Sequence, residues 1–390
     1  MRFSDGLLGA AWVVGMNKTD DYGFSANAGS LPVAVKTPYP KAWAWGLNGA
    51  GQLGDETNTT RDIPVMVYGE HIFTSVACGL YHSLAIDEAG NAWAWGNNGY
   101  GQLGDETNTK RDIPVMVHGG HIFTAIASGQ NHSLAIDEDG NAWAWGLNYP
   151  GQLGDETNTD QDIPVMVHGG HIFTAIAGGA NHSLAIDEDG NAWAWGDNGY
   201  GQLGDETKTN RDIPVMVHGG HIFTAIAGGG IYHSLAIDEA GNAWAWGKNN
   251  YGQLGDETNT NRDIPVMVHG GHIFTAIASG QNHSLAIDED GNAWAWGLNY
   301  HGQLGDETNT NRDIPVMVHG GHIFTAIAGG IRHSLAIDED GNAWAWGSNG
   351  YGQLGDETYT DRDIPVMVHG GHSFAFISSS HAYHSVSIVV

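Results

Sequence analysis

One block of about 50 residues recurs along almost the whole chain and constrains its fold more than any other feature. A clean copy spans residues 120–169: GHIFTAIASGQNHSLAIDEDGNAWAWGLNYPGQLGDETNTDQDIPVMVHG. The pentad Ala-Trp-Ala-Trp-Gly begins at Ala42, Ala92, Ala142, Ala192, Ala243, Ala293 and Ala343, and Gly-Gln-Leu-Gly-Asp follows each time. One step is a residue longer, where Gly230 and Ile231 stand in place of one residue. A fixed period of this size signals stacked structural units that cannot bury their apolar faces alone. A chain of 390 residues would otherwise suggest two or three domains. The repeat argues instead for one domain, residues 41–390, preceded by a decayed half-repeat or extension at residues 1–40. There Ala11-Trp12-Val13-Val14-Gly15 echoes the pentad, and Leu31-Pro32-Val33-Ala34-Val35 echoes Ile63-Pro64-Val65-Met66-Val67.

Each block reads as four strands. Residues 122–127 (IFTAIA) alternate and then turn small, and residues 132–137 (HSLAID) form the second strand. Asp137-Glu138-Asp139-Gly140-Asn141 supplies tight-turn chemistry. The third strand is residues 142–145. After a long Gly/Asn/Thr loop, residues 165–167 form the fourth, reached through Pro164. Proline suits an outer strand that need not donate every ladder bond. No segment carries a helical period. Four antiparallel strands repeated about seven times predict an all-β, seven-bladed propeller. The last block stops after its second strand, and Lys41 opens on a third strand. Pairing the C-terminal strands with the N-terminal ones in one composite blade closes the ring and removes an exposed edge.

The pattern His-Ser-Leu-Ala-Ile-Asp, Asp-Gly-Asn, Trp-Gly-x-Asn and Gly-Gln-Leu-Gly resembles the regulator of chromosome condensation repeat over residues 41–390. That resemblance implies a seven-bladed propeller whose termini meet in one blade. Kelch repeats are of similar length, but His118-Gly119-Gly120-His121 lacks their sequel of spaced Tyr and Trp. The family includes guanine-nucleotide exchange factors, chromatin binders and a β-lactamase inhibitor. Its exchange factor carries a β-hairpin inserted between blades, and the even period here leaves no room for one. Light-sensing members carry Gly-Trp-Arg-His-Thr, whereas this chain reads Gly330-Ile331-Arg332-His333-Ser334.

Net charge is −30, from 44 acidic and 14 basic residues. Such a field repels nucleic acid and anionic membrane and favours basic partners or solubility. It conflicts with chromatin binding. The single Cys78 excludes an internal disulfide. The apolar run at residues 7–14 is too short to span a bilayer. No signal peptide is evident, which points to a cytoplasmic protein unless a leader is missing.

The constant motifs invite chemistry and are expected to be structural. Fourteen of the 15 tryptophans belong to the pentads, two residues apart and so on one strand face with alanines on the other. That is packing of large against small. His82, His132, His182, His233, His283, His333 and His384 each precede Ser. Catalysis would need a third group and an oxyanion site, so a repeated structural hydrogen bond is expected. The His118-Gly-Gly-His121 links offer two imidazoles near carboxylates, a zinc or nickel alternative to a plain turn. The Asp137 turn is too short to cage calcium. Asp155-Glu156-Thr157 and its copies precede an Arg-Asp pair such as Arg111-Asp112, which suggests local ion pairs. No catalytic residue, metal or cofactor is assigned.

The copies differ in two loops. Between the first and second strands lie Tyr81, Gln130, Asn131, Asn181, Ile231, Tyr232, Gln281, Asn282, Ile331, Arg332 and Tyr383. After Trp-Gly lie Tyr100, Tyr149, Tyr200, Tyr251, Tyr300, His301 and Tyr351. In an up-and-down blade both loops fall at the same end. These residues are therefore the candidate binding site of a non-enzymatic scaffold, rich in aromatic anchors. The expected partner is another protein. A glycan-binding lectin and a repetitive surface-assembly protein are the alternatives, and the oligomeric state stays open.

Overall fold

A computed structural model describes residues 41–389 except Ile231, Ser380 and His381. The half-repeat expected at residues 1–40 lies outside the described residues. Seven four-stranded antiparallel sheets form the blades of a ring. Six are continuous in sequence, within residues 73–116, 123–166, 173–216, 223–267, 274–317 and 324–367. They are called blades one to six here. The closing blade joins Phe374–Ser378 and His384–Val389 to Lys41–Gly46 and Arg61–Met66. Its seam runs from Lys41 opposite Val389 to Gly46 opposite His384 without a register shift. Closure and strand order follow the expectation.

The alternation in the pentad dictates how blades meet. Trp195 of blade three is fully buried against Ala142, Ala144, Leu134 and Ile136 of blade two. Trp193 shares that face, and the alanines of its own strand turn to the next blade. Alanine leaves the depth that the neighbouring indole fills. Burying one such side chain contributes roughly 4–6 kcal/mol gross, an upper figure because the unfolded chain already hides some surface. The Trp195 Nε1–H also donates to the Gln152 carbonyl at 2.9 Å.

Three strands of blade two differ in their bounds from the sequence reading, the third strand being Ala142–Gly146, one residue longer than expected. The fourth strand is Gln161–Met166 in blade two, not residues 165–167. Gln161 faces Gly146 and Val165 faces Ala144, so Pro164 sits inside an irregular register rather than at the start of the strand. A bulge tolerates a residue without an N–H. The first strand of blade two is Phe123–Ser128, one residue later than expected at each end.

The innermost strands surround a narrow axial cavity of about 130 Å³, lined by residues such as Ile126, Ala127 and Ser128 and their counterparts. Their alanines and glycines allow the close approach. A Cβ at Gly228 would sit 2.4 Å from the Gly178 carbonyl carbon of the adjacent blade.

Candidate functional site

The repeated histidines close a circuit between blades. His82 Nε2 lies 3.1 Å from Ser133 Oγ in the next blade, and His132 lies 3.0 Å from Ser183. The series ends with His384 at 2.8 Å from Ser83, across the seam. Ser133 Oγ donates its one proton to the Gln102 carbonyl at 2.8 Å, which also accepts Trp145 Nε1–H. The hydroxyl must then accept from the imidazole, so Nε2 carries the hydrogen. A serine already donating to a backbone carbonyl has no proton for a general base. Burial pushes His82, His283, His333 and His384 down to about 3. The motif is a neutral blade-to-blade fastening, as its repetition suggested.

The other constant motifs also spend their polar groups locally. The ring of His121 rests on Trp143 at 3.9 Å, while His118 faces Glu106 at 3.5 Å. The two imidazoles of the link thus have separate neighbours. Asp137 Oδ1 accepts the N–H groups of Asp139 and Asn141, and Oδ2 accepts Trp143 Nε1–H at 2.9 Å. Burial raises the Asp137 carboxyl, but these hydrogen bonds outweigh it and hold the pKa below its usual value. Asp205 takes Arg211 Nη2 at 2.6 Å together with Thr207 and Asn198. In blade two Gln161 replaces the arginine and donates to Asp155 at 3.3 Å. Cys78 is buried with its Sγ 3.3 Å from the Ser378 carbonyl, and burial pushes its thiol up to about 12.

The two variable loops meet across blade junctions. Tyr200 of blade three packs on Tyr232 of blade four at 4.6 Å between ring centroids. Tyr251 and Tyr300 face each other edge-on at 6.3 Å, and Tyr351 meets Tyr383 of the closing blade at 5.3 Å. His301 Nδ1 lies 2.9 Å from Asp361, and its Nε2 lies 3.5 Å from Arg332 Nη1. Tyr100, Tyr149, Tyr300, Tyr351 and Arg332 are exposed. Tyr81, Gln130, Asn131, Asn181, Tyr200, Tyr232, Tyr251, Gln281, His301 and Tyr383 are half-buried.

Two candidates, Ile331 and Asn282, turn inward rather than to the surface. Ile331 is only 4% exposed, and its N–H donates to the Ala382 carbonyl, so it anchors its loop inward. Asn282 is 9% exposed and belongs to the interior of its junction. Ile231 lies outside the described residues. Two residues were missed. Lys248 Nζ sits 5.4 Å from the centroid of the Tyr200 ring and 5.3 Å from that of Tyr232, and burial lowers its pKa. Asp361 Oδ1 accepts the Asn349 N–H at 2.7 Å while its other oxygen holds His301. Both occupy positions that vary between copies: Leu47, Asn97, Leu147, Asp197, Lys248, Leu298 and Ser348 in one, Thr60, Lys110, Asp160 and Asn210 among those in the other. Reading these two further variable positions would have found them.

A closed ring of seven four-stranded blades, with constant inter-blade fastenings and variable loops at one end, defines a seven-bladed β-propeller. The profile of the RCC1-like domain matches residues 13–272, and profiles of the regulator of chromosome condensation repeat match residues 274–303, 324–353, 290–337 and 340–388. The chain belongs to the RCC1-like domain family. Among solved structures it is similar to Prp20p of Saccharomyces cerevisiae, described with its binding properties to Gsp1p and histones. The two are 25% identical over 90% of this chain and 91% of that one, with a TM-score of 0.79. Human WBSCR16 is 20% identical over 90% and 98% of the two chains, with a TM-score of 0.82, a likeness of fold. Yeast RCC1 (Prp20) in its complex with Kap60 is 23% identical over 97% and 96%, with a TM-score of 0.79. No match was found among curated proteins.

Proposed function

We propose that this chain is a non-enzymatic protein-binding scaffold whose partner docks on the variable-loop face. The observation that carries the reading is the set of aromatic pairs bridging blade junctions there, Tyr200 with Tyr232 and Tyr351 with Tyr383. Such rings are already immobilised by the propeller, so binding costs little side-chain entropy. The constant polar motifs are occupied within the ring and offer no comparable contact. The similarity to Prp20p, which binds Gsp1p and histones, supports a protein partner, and a charge of −30 favours one with basic character. Nucleotide exchange is a disfavoured reading, because the even repeat period leaves no room for the hairpin inserted in the family's exchange factor.

Affinity capture from the native source, followed by hydrogen-exchange footprinting of the captured complex, tests the proposal. The footprint is expected on the variable loops, and changing Tyr81, Tyr232 and Arg332 together to Ala should release the partner. Strong multivalent hits on a glycan array would favour a lectin instead. Polymerisation of the purified chain with no captured partner would favour a structural role. Accelerated release of GDP from a captured GTPase would establish exchange.

A further inference from the structure

Six of the seven described arginines are locked to an aspartate of their own blade, from Arg61 with Asp55 to Arg362 with Asp356. Arg332 is the exception: it is exposed, and no carboxylate lies within 4 Å of it among the described residues. Its backbone is fixed on both sides. The Ile331 N–H donates to the Ala382 carbonyl at 3.0 Å, and the Ser348 N–H donates to the Arg332 carbonyl at 2.8 Å. Its side chain meets His301 Nε2, whose other nitrogen is held by Asp361 at 2.9 Å. With Nδ1–H donated to Asp361, Nε2 presents a lone pair toward the guanidinium and steers it without neutralising it.

The surroundings are aromatic. Burial raises the pKa of the Tyr383 phenol, and the Arg332 guanidinium pulls it back, while Tyr351 and Tyr81 push it further up. Tyr351 meets Tyr383 edge-on at 5.3 Å, and the Ile331–Ala382 hydrogen bond ties the loop that carries Arg332 to the loop that carries Tyr383, so these residues share one sector of blade six and the closing blade. The combination of Arg332, His301 and Asp361 occurs once, because each stands at a variable position and no other copy of the repeat carries all three.

We infer that this sector is an anion-receiving docking point, taking a carboxylate borne by an otherwise basic protein segment. The inference rests on the protein-binding reading above and names where and with what chemistry the partner engages. Two observations select the ligand. The guanidinium is steered by His301, meets no carboxylate among the described residues and is carried on a loop bonded to the one that bears Tyr383, a setting that suits bidentate carboxylate contact. The −30 charge disfavours a strongly acidic partner and a phosphate dianion more than a single carboxylate set among basic residues.

The test uses fluorescein-labelled 12-residue synthetic peptides of Lys, Arg, Gly and Tyr. Their centres carry Tyr-Asp, Tyr-Glu, Tyr-Asn, Tyr-Gln or Tyr-phosphoserine. They are titrated by anisotropy into the full chain and its variants at fixed salt. The Asp and Glu peptides should bind about tenfold more tightly than their amide counterparts, the size of one charge-assisted contact. Arg332→Ala should abolish that preference, and Arg332→Lys should keep part of it. Tyr351→Ala should weaken acid and amide peptides alike. Unchanged melting of these exposed-site variants excludes a folding artefact. Equal binding of acid and amide peptides, a preference that survives Arg332→Ala, a phosphoserine preference, or no binding at all would each overturn the inference. A footprint on the variable loops without an acid preference leaves the scaffold reading standing. A footprint on the opposite face sinks both.

Discussion

Mild acid should loosen this propeller through its buried imidazoles. An imidazole in an unfolded chain titrates near 6.5. In the ring, burial holds His82, His283, His333 and His384 at about 3. Their folded values are depressed, so the folded chain keeps them neutral while the unfolded chain takes up protons as pH falls. Their contribution is fully present above pH 6.5 and is lost progressively as pH falls toward 3. Each pH unit below 6.5 costs about 1.4 kcal/mol per histidine. At pH 5.5 the four together cost roughly 6 kcal/mol, comparable with the whole stability of many domains. Urea unfolding followed by tryptophan fluorescence at pH 7.5, 6.5 and 5.5 and fixed ionic strength gives the answer. The unfolding free energy should drop by several kcal/mol, with net uptake of about four protons. A flat profile across this window would refute the claim that the ring histidines are buried and neutral.

Three substitutions probe other parts of the ring. Gln152 is fully buried with both ends of its amide unpartnered, because Pro150 lacks the N–H that Tyr100 supplies to Gln102. Gln152→Met should therefore stabilise relative to Gln102→Met by about 1–2 kcal/mol in urea midpoint measurements. Gln161→Arg should restore the ion pair to Asp155 seen in the other blades and raise the melting temperature slightly, by less than about 1 kcal/mol in stability. Ala144→Leu should intrude on Trp195 across the blade interface and destabilise by about 1–3 kcal/mol, read by thermal melting.

Much of the architecture was legible because a strict period leaves few alternatives. Alternating Trp and Ala gave each blade one large and one small face, and the missing half-blocks at the two ends required a composite blade. The repeated His-Ser pair was legible as a fastening, since seven identical catalytic sites make less physical sense than seven identical contacts. The Pro164 bulge was not legible, because its register is set by the facing strand, where Gln161 meets Gly146. The candidate face was only partly legible. Its contacts join residues on different blades, as Arg332 meets His301, and no local pattern announces them. Ile331 looked like a surface residue because its neighbours vary, yet apolar burial and the bond to Ala382 turn it inward. Asp361 and Lys248 lie at variable positions next to constant motifs, which drew attention away from them.

The central claim divides the repeat into residues that build the ring and residues that give it a partner. A chain whose variable loops all carry the Gln130-Asn131 and Gly99-Tyr100 versions tests that division directly, by capture of the native partner on it and on the natural chain in parallel. The melting temperature should be nearly unchanged while partner binding is lost. Partner binding that survives in the uniform ring would contradict the account.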